Sequence, residues 1–164
     1  MPKKPDYFPL TPGLKLVYDM RDEGGQGTLT FEVLSASKKG RVTTAKCRQA
    51  VSGVSKPTEY EVIRKPRGIY SPWGKEFPLP LAPDLAWLRN EHQQCWVDAL
   101  DATVTVSLCE FKDCLRIWWT IDEGEGGSGE RCYAPGVGLV YANSSEDGDE
   151  FEMSLSEVYP APKG

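Results

Sequence analysis

Apolar and polar residues alternate along much of this chain, which is the period of a β-strand with one buried and one solvated face. Near the start, Leu14, Leu16 and Tyr18 share one face. Lys15 and Asp19 lie on the other. The same alternation recurs in six further segments: 28–33, 59–62, 104–108, 115–122, 137–141 and 151–156. Each is predicted to be a half-buried strand.

The segments between these strands are short, polar and rich in glycine, which is typical of hairpin loops. Parallel strands would need connections of about a dozen residues or more. The loops are expected at residues 24–27, 38–40, 124–129 and 144–148. The sequence therefore predicts an antiparallel sheet of roughly eight to ten strands.

Residues 84–95 are the one candidate for a helix. Asp84 is a suitable N-cap, and Leu85, Leu88 and His92 follow it at loose helical spacing. We therefore expect an all-β fold, mainly strand, with at most one short helix of about one or two turns.

A nine-residue pattern occurs twice in the chain. Residues 8–16 and 79–87 share the order apolar-Pro-Leu-x-Pro-x-Leu-x-apolar. Because proline restricts the backbone, each copy is expected to be a stiff lead-in to a run of strands. The repeat indicates that the chain forms the sheet in two passes, that is, as two successive runs of strands.

The length of 164 residues is that of one domain with a self-supporting core. The apolar fraction of 40% and the charged fraction of 26% are those of an ordinary soluble globular protein. We expect a single β domain over residues 1–164, with flexible tails at 1–6 and 160–164.

Charge is unevenly distributed, with +6 on residues 1–82 and −11 on residues 83–164. Without a clustered basic surface or a recognised nucleic-acid-binding motif, nucleic acid is not an expected partner. No apolar run is long enough for a membrane span, and no signal-peptide core follows Met1. A cytoplasmic location is expected for the chain as written, or the cell envelope or exterior if Met1 replaces a native export signal.

Five cysteines are present, at positions 47, 95, 109, 114 and 132. An odd number at scattered spacing predicts mostly buried thiols without metal, with one disulfide left open. His92, Cys95, Cys109 and Cys114 have a zinc ligand count but lack the paired spacing of zinc sites. No metal and no cofactor are expected.

Evidence for catalysis is weak in every motif. His92 and Cys95 form the one His/Cys pairing, but no orienting group or oxyanion hole accompanies it. The acidic runs at 122–125 and 146–150 are expected to be solvated turns, because neither has the order of a calcium loop. The glycines of 124–129 are flanked by acids that would repel phosphate.

Two neighbouring tryptophans must point to opposite faces of their strand. If Trp119 is in the core, Trp118 lies on the outer face near Arg116. Two interpretations stay open: another part of the chain covers Trp118, or Trp118 and Arg116 contact a partner.

Residues 133–141 form the most distinctive segment. Pro135 and Gly136 suit the two central positions of a type II turn, and a strand can begin directly after it. In that strand Gly138 leaves space into which a neighbouring group can fit.

This chain resembles a loose group of bacterial proteins of unknown function, many of them predicted lipoproteins or secreted proteins. The resemblance covers about residues 7–158 and lies in four motifs: an aromatic-Phe-Pro-Leu-x-x-Gly lead-in at 7–13, a Pro-Leu stretch at 79–81 before Trp87, Phe-x-x-Cys-Leu at 111–115, and Ala-Pro-Gly-Val-Gly-Leu at 134–139. It implies a single strongly curved antiparallel sheet, a half-barrel or open barrel similar to outer-membrane lipoprotein carriers. It implies no catalytic residues.

A curved sheet with an apolar concave face favours a non-enzymatic binding module for an apolar small molecule or lipid. The alternatives are a structural or partner-docking protein with a filled core, and a hydrolase-type enzyme using scattered carboxylates and His92. The candidate ligand-binding residues are Tyr18, Phe31, Tyr60, Trp119 and Leu139, within a wider lining that adds Leu16, Val33, Val62 and Phe151.

Overall fold

A computed structural model describes residues 4–121 and 126–160. The described residues form one antiparallel sheet of twelve strands and contain no helix. None of them therefore forms a helix long and apolar enough to cross a membrane. The strands are β1 (Lys15–Asp22), β2 (Gly25–Lys39), β3 (Val42–Val51), β4 (Thr58–Lys65), β5 (Gly68–Ser71), β6 (Gly74–Pro78), β7 (Ala86–Leu88), β8 (Gln93–Thr105), β9 (Glu110–Ile121), β10 (Gly127–Ala134), β11 (Gly138–Glu146) and β12 (Asp149–Tyr159).

The strand order is β6-β5-β4-β3-β2-β1-β12-β11-β10-β9-β8-β7. The chain therefore runs outward from the centre of the sheet to β6, crosses to the far edge at β7, and returns to the centre at β12. These are two passes, each preceded by one of the proline-containing lead-ins. The expected antiparallel sheet is confirmed, although it has twelve strands and not eight to ten.

The sheet is curved so strongly that it nearly closes into a barrel. Its edge strands β6 and β7 meet at a seam, which we define as the contacts between residues 73–76 and residues 87–90. There the Lys75 amide donates to the Arg89 carbonyl at 2.9 Å, and the Trp87 indole donates to the Lys75 carbonyl at 3.0 Å. Register shifts in several pairings, including those after Val17, Ile69 and Cys132, add to the curvature.

Residues 84–95 are not helical, and the expectation of a short helix there is wrong. Asp84 has a φ of 61°, which is outside the right-handed helical region. Ala86–Leu88 pairs instead with the first part of β8. Strand pairing satisfies these backbone groups in the sheet, and this outweighs the weak helical spacing.

Several predicted loops are shorter than expected because the strands extend into them. Residues 127–129 belong to β10, and 144–146 belong to β11. Part of the 124–129 loop, the acidic run at 122–125 and residues 1–3 and 161–164 of the two expected tails lie outside the described residues. The 146–150 run forms the β11–β12 turn, in which Asp147 and Gly148 have positive φ.

The turn before β11 forms as the sequence predicts. The Val137 amide donates to the Ala134 carbonyl at 3.1 Å, and Gly136 has a φ of +76°. Beside this turn, the Gly136 amide donates to the Asp6 carbonyl at 2.8 Å. This bond places the N-terminal lead-in against one end of the barrel.

Candidate functional site

A cavity of about 410 Å³ lies on the inner face of the sheet. Its volume is within the range of roughly 300–1,000 Å³ that is typical of small-molecule sites. Most of its wall is aliphatic or aromatic. The apolar part of the wall includes Phe8, Leu14, Leu16, Tyr18, Leu29, Phe31, Tyr60, Val62, Leu139, Phe151 and Met153.

Four of the five predicted ligand-binding residues line this cavity: Tyr18, Phe31, Tyr60 and Leu139. The fifth, Trp119, is buried in the core outside the lining. Of the wider predicted set, Val33 is likewise buried outside the lining. Period-two alternation indicated the inner faces of β1, β2, β4 and β12. In β11 it indicated the wrong face, because Val140 and Ala142 are the buried side chains whereas Leu139 and Tyr141 are only half-buried. It also could not indicate which inner residues border a space.

The tyrosines of the wall remain neutral at ordinary pH. Burial raises the pKa of Tyr18 well above its usual value, and the nearby Tyr133 and Tyr60 add to this. The Tyr18 hydroxyl donates to the Leu139 carbonyl at 2.7 Å. Burial also raises the pKa of Tyr60, with further contributions from Cys47 and Glu76. These rings therefore present apolar surface to the cavity.

Aromatic side chains stand at two positions along the cavity. Phe8 of the lead-in packs between Phe31 and Tyr133, with ring centroids 6.3 and 6.1 Å away. Elsewhere Trp73 contacts Tyr60 edge to face at 4.8 Å and is 45% exposed. Because Trp73 both lines the cavity and faces solvent, the cavity reaches the surface beside it.

Three charged residues interrupt the apolar wall: Glu76 and Arg131, which are buried, and Arg89, which is half-buried. We call these three residues the polar cluster. The Glu76 carboxylate receives two hydrogen bonds from Arg89 Nη2, at 2.8 and 3.0 Å. The Ser71 hydroxyl donates to the same carboxylate. Arg89 Nη1 donates to Gln93 Oε1 at 3.2 Å. The cluster therefore links β6 to the chain after β7 across the seam.

Arg131 lies beside this pair on β10 and is only 7% exposed. Its Nε donates to the Tyr133 hydroxyl at 3.2 Å. Burial lowers the pKa of Arg131, but the Tyr133 hydroxyl and the Glu76 carboxylate raise it by more, so the guanidinium stays charged. Tyr133 itself stays neutral, because burial raises its pKa to about 12 despite the opposing effect of Arg131.

Sequence reasoning missed the polar cluster entirely. The strand β10 begins with glycines that suggested a loop, so the position of Arg131 on an inner face was not recognised. The sequence does contain one indication of this position. Gly129, Arg131 and Tyr133 are spaced two residues apart just before the predicted turn, as residues on one face of a strand are. Glu76 and Arg89 meet only because the two edges of the sheet meet, which no local pattern indicates.

On the outer face, Trp118 is 36% exposed. It lines a polar cleft of about 480 Å³ with residues that include Arg21, Asn143 and Glu152. Arg116 lies 3.4 Å from Glu130 and 3.8 Å from Asp98. The role of Trp118 and Arg116 as partner contacts stays a prediction.

All five cysteines are free thiols, and only Cys109 is exposed. Burial raises the pKa of Cys47 to about 12 and that of Cys132 to about 11, although Arg116 lowers the latter. Within residues 4–121 and 126–160, no group of three His, Cys, Asp or Glu side chains is placed to hold a metal ion. His92 is exposed in the turn before β8, whereas Cys95 is buried.

No protein-family model matches the sequence, and no curated protein matches it. Two crystal structures resemble the fold over 96% of this chain and 100% of their own. One is a candidate lipoprotein from Parabacteroides distasonis, with a TM-score of 0.63 and 12% identity. The other is a candidate exported protein with a YmcC-like fold from Bacteroides fragilis, with a TM-score of 0.64 and 12% identity. At this identity the similarity concerns the fold alone.

Proposed function

We propose that this protein is a binding module that holds an apolar small molecule or lipid in the cavity of its curved sheet. The observation that carries the proposal is the cavity of about 410 Å³, walled by large apolar side chains. Burying apolar ligand surface there contributes about 25 cal/mol per Å². A structural protein with a filled core would not contain such a cavity, because protein interiors normally pack densely.

Both structural neighbours are candidates for the cell envelope or the exterior, one as a lipoprotein and one as an exported protein. A lipid ligand would be abundant at a membrane surface. We propose that this protein also acts in the envelope or outside the cell, which fractionation of the native cells tests directly.

The enzyme alternative has less support than ligand binding. The Glu76 carboxylate is occupied by Arg89, and His92 lies in an exposed turn. Burial raises the pKa of Cys95, which disfavours the thiolate that a nucleophile requires. We therefore propose no reaction.

The direct test is thermal unfolding in the presence of fatty acids, phospholipid fragments and aromatic metabolites. A ligand at 100 times its dissociation constant stabilises the folded state by about 2.7 kcal/mol. For a domain of this size that corresponds to a rise in melting temperature of about 5–10 °C. A panel in which no compound changes the melting temperature would contradict the proposal.

Two phenylalanines provide a matched pair of variants. Phe31 and Phe111 are both half-buried against the core, but only Phe31 lines the cavity. Phe31→Ala is expected to weaken binding of the best ligand about tenfold, since losing ~50 Å² of apolar contact costs about 1.3 kcal/mol. Phe111→Ala is expected to lower stability without changing the affinity. Equal loss of affinity in both variants would place the ligand elsewhere.

A further inference from the structure

The guanidinium of Arg131 has incomplete hydrogen bonding although it is buried at the cavity. Arginine has five N–H donors. The Nε bond to the Tyr133 hydroxyl is 3.2 Å long, and Nη2 reaches the Glu76 backbone carbonyl only at 3.4 Å and Cys95 Sγ only at 3.9 Å. Nη1 is shielded from water and has no hydrogen-bond partner among the described residues. A buried group in this state costs free energy until an acceptor reaches it.

Glu76 does not supply that acceptor. Its carboxylate is engaged by Arg89 and Ser71, and only its backbone carbonyl faces Arg131. In the described part of the chain, no carboxylate accepts a hydrogen bond from Arg131. The polar cluster therefore carries two positive charges and one negative charge, and the net positive charge lies against the cavity wall.

We propose, resting on the proposed function, that the ligand is an amphiphile with one carboxylate, which binds Arg131 while the apolar part lies along the aromatic wall. A carboxylate is the natural partner of a guanidinium, because their planar groups match and the hydrogen bonds are charge-assisted. Its single negative charge balances the single net positive charge of the polar cluster. A phosphate dianion would leave an excess negative charge, and a neutral head group would leave the Arg131 charge uncompensated.

Three probes of equal chain length separate the head group from the tail: dodecanoate, dodecanol and dodecyltrimethylammonium. Their affinities for the full chain are measured by calorimetry or by quenching of tryptophan fluorescence, below the concentration at which each probe aggregates. Dodecanoate is expected to bind at least tenfold more tightly than dodecanol, since hydrogen bonds to charged groups are stronger than neutral ones. The cationic probe is expected to bind most weakly.

Variants of two arginines test the position of the head group. Arg131→Met is expected to reduce the affinity for dodecanoate about tenfold, to the level of dodecanol, and to leave dodecanol binding unchanged. Arg131→Lys keeps the charge and is expected to recover part of the preference. Arg48→Met is the control, because Arg48 pairs with Glu32 at 2.8 Å and does not line the cavity. Circular dichroism and urea unfolding establish that each variant is folded.

The outcomes distinguish this inference from the function on which it rests. Equal affinities of the wild-type protein for dodecanoate and dodecanol would overturn the carboxylate assignment and leave apolar binding intact. This comparison needs no variant, so it stands even if Arg131→Met does not fold. A folded Arg131→Met that keeps the full preference would overturn the role of Arg131. Failure of all three probes, together with the wider panel, would count against the binding function itself.

Discussion

Gly138 illustrates how a single residue is constrained by its backbone. The sequence suggests that a neighbour needs the space beside it, but a Cβ there would lie 3.5 Å from Leu16 and 3.7 Å from Pro9, which is ordinary contact. Its φ of +112°, in contrast, is a conformation that residues with side chains rarely adopt. Glycine is therefore required at position 138 because of the backbone conformation more than because of the space available to a side chain.

We expect both Gly138→Ala and Gly138→Val to lower the free energy of unfolding by more than about 1 kcal/mol, because each must adopt the strained backbone. Urea unfolding of the two variants beside the wild type is the measurement. If alanine proved neutral and only valine destabilised, crowding would be the correct explanation after all.

The thiols give a second prediction for single residues. Because Cys109 alone is exposed, a thiol reagent is expected to modify one cysteine per folded chain and all five after denaturation. Cys109→Ser should reduce the folded count to zero. Rapid modification of two or more thiols in the folded wild type would contradict the burial of the other four.

Among the strands, β6 and β7 are the two edges of the sheet, and residues of the seam between them line the cavity. β6 and the chain after β7 approach so closely at Gly74 that a Cβ there would lie 1.8 Å from the Arg89 carbonyl oxygen. The Lys75 amide bond and the Glu76–Arg89 ion pair depend on the same approach. Gly74 is thus the residue that lets the two edges meet.

Gly74→Ala is expected to separate the seam and to destabilise the protein by about 2 kcal/mol or more, as for other overpacked sites. Gly25→Ala is the matched control, because Gly25 has a similar φ of +120° but no atom lies within 4 Å of the position that a Cβ would take. Urea unfolding gives the stability, and hydrogen exchange of the Lys75 amide reports on the seam. Equal effects of the two variants would mean that backbone strain, and not contact with Arg89, is responsible.

For the protein as a whole, buried thiols and phenols that keep their protons in the folded state make the fold less stable at alkaline pH. The pKa of Cys47 is raised from 9.0 to about 12 by burial, so the folded state keeps its proton while the unfolded state loses it. The stability is therefore complete below about pH 9 and falls as pH rises toward the folded pKa. Tyr133, with a pKa of about 12, acts in the same direction.

We expect Cys47 alone to remove about 1.6 kcal/mol of stability between pH 9 and pH 10.5. Urea unfolding at pH 7, 9 and 10.5 measures the loss in the wild type. Cys47→Ala should start from a lower stability and decline less steeply over the same interval. Identical slopes would show that the Cys47 thiol does not control the alkaline limit.

Local patterns were enough to predict the strands whose inner faces are strongly apolar, such as β1, β2 and β12. They were also enough for the turn at residues 134–137, because the restricted φ of Pro135 and the positive φ that Gly136 allows suit few structures other than a turn. They failed for β3, whose inner positions include the small Ala45 and the polar Gln49, and for β10, whose glycines resemble a loop. Where side chains are small or absent, the alternation that marks a strand is weak.

The alternation of apolar and polar residues was enough to predict an antiparallel all-β sheet, and four of the residues it singled out border the cavity. It was not enough to predict that the edges of the sheet meet or that Glu76 pairs with Arg89 across that seam. Nor did it indicate that Arg131 lies beside this pair and has no carboxylate partner in the described part of the chain. Alternation is encoded between residues two apart, whereas the seam, the cavity and the charge balance arise from groups dozens of residues apart that only strand order and curvature bring together.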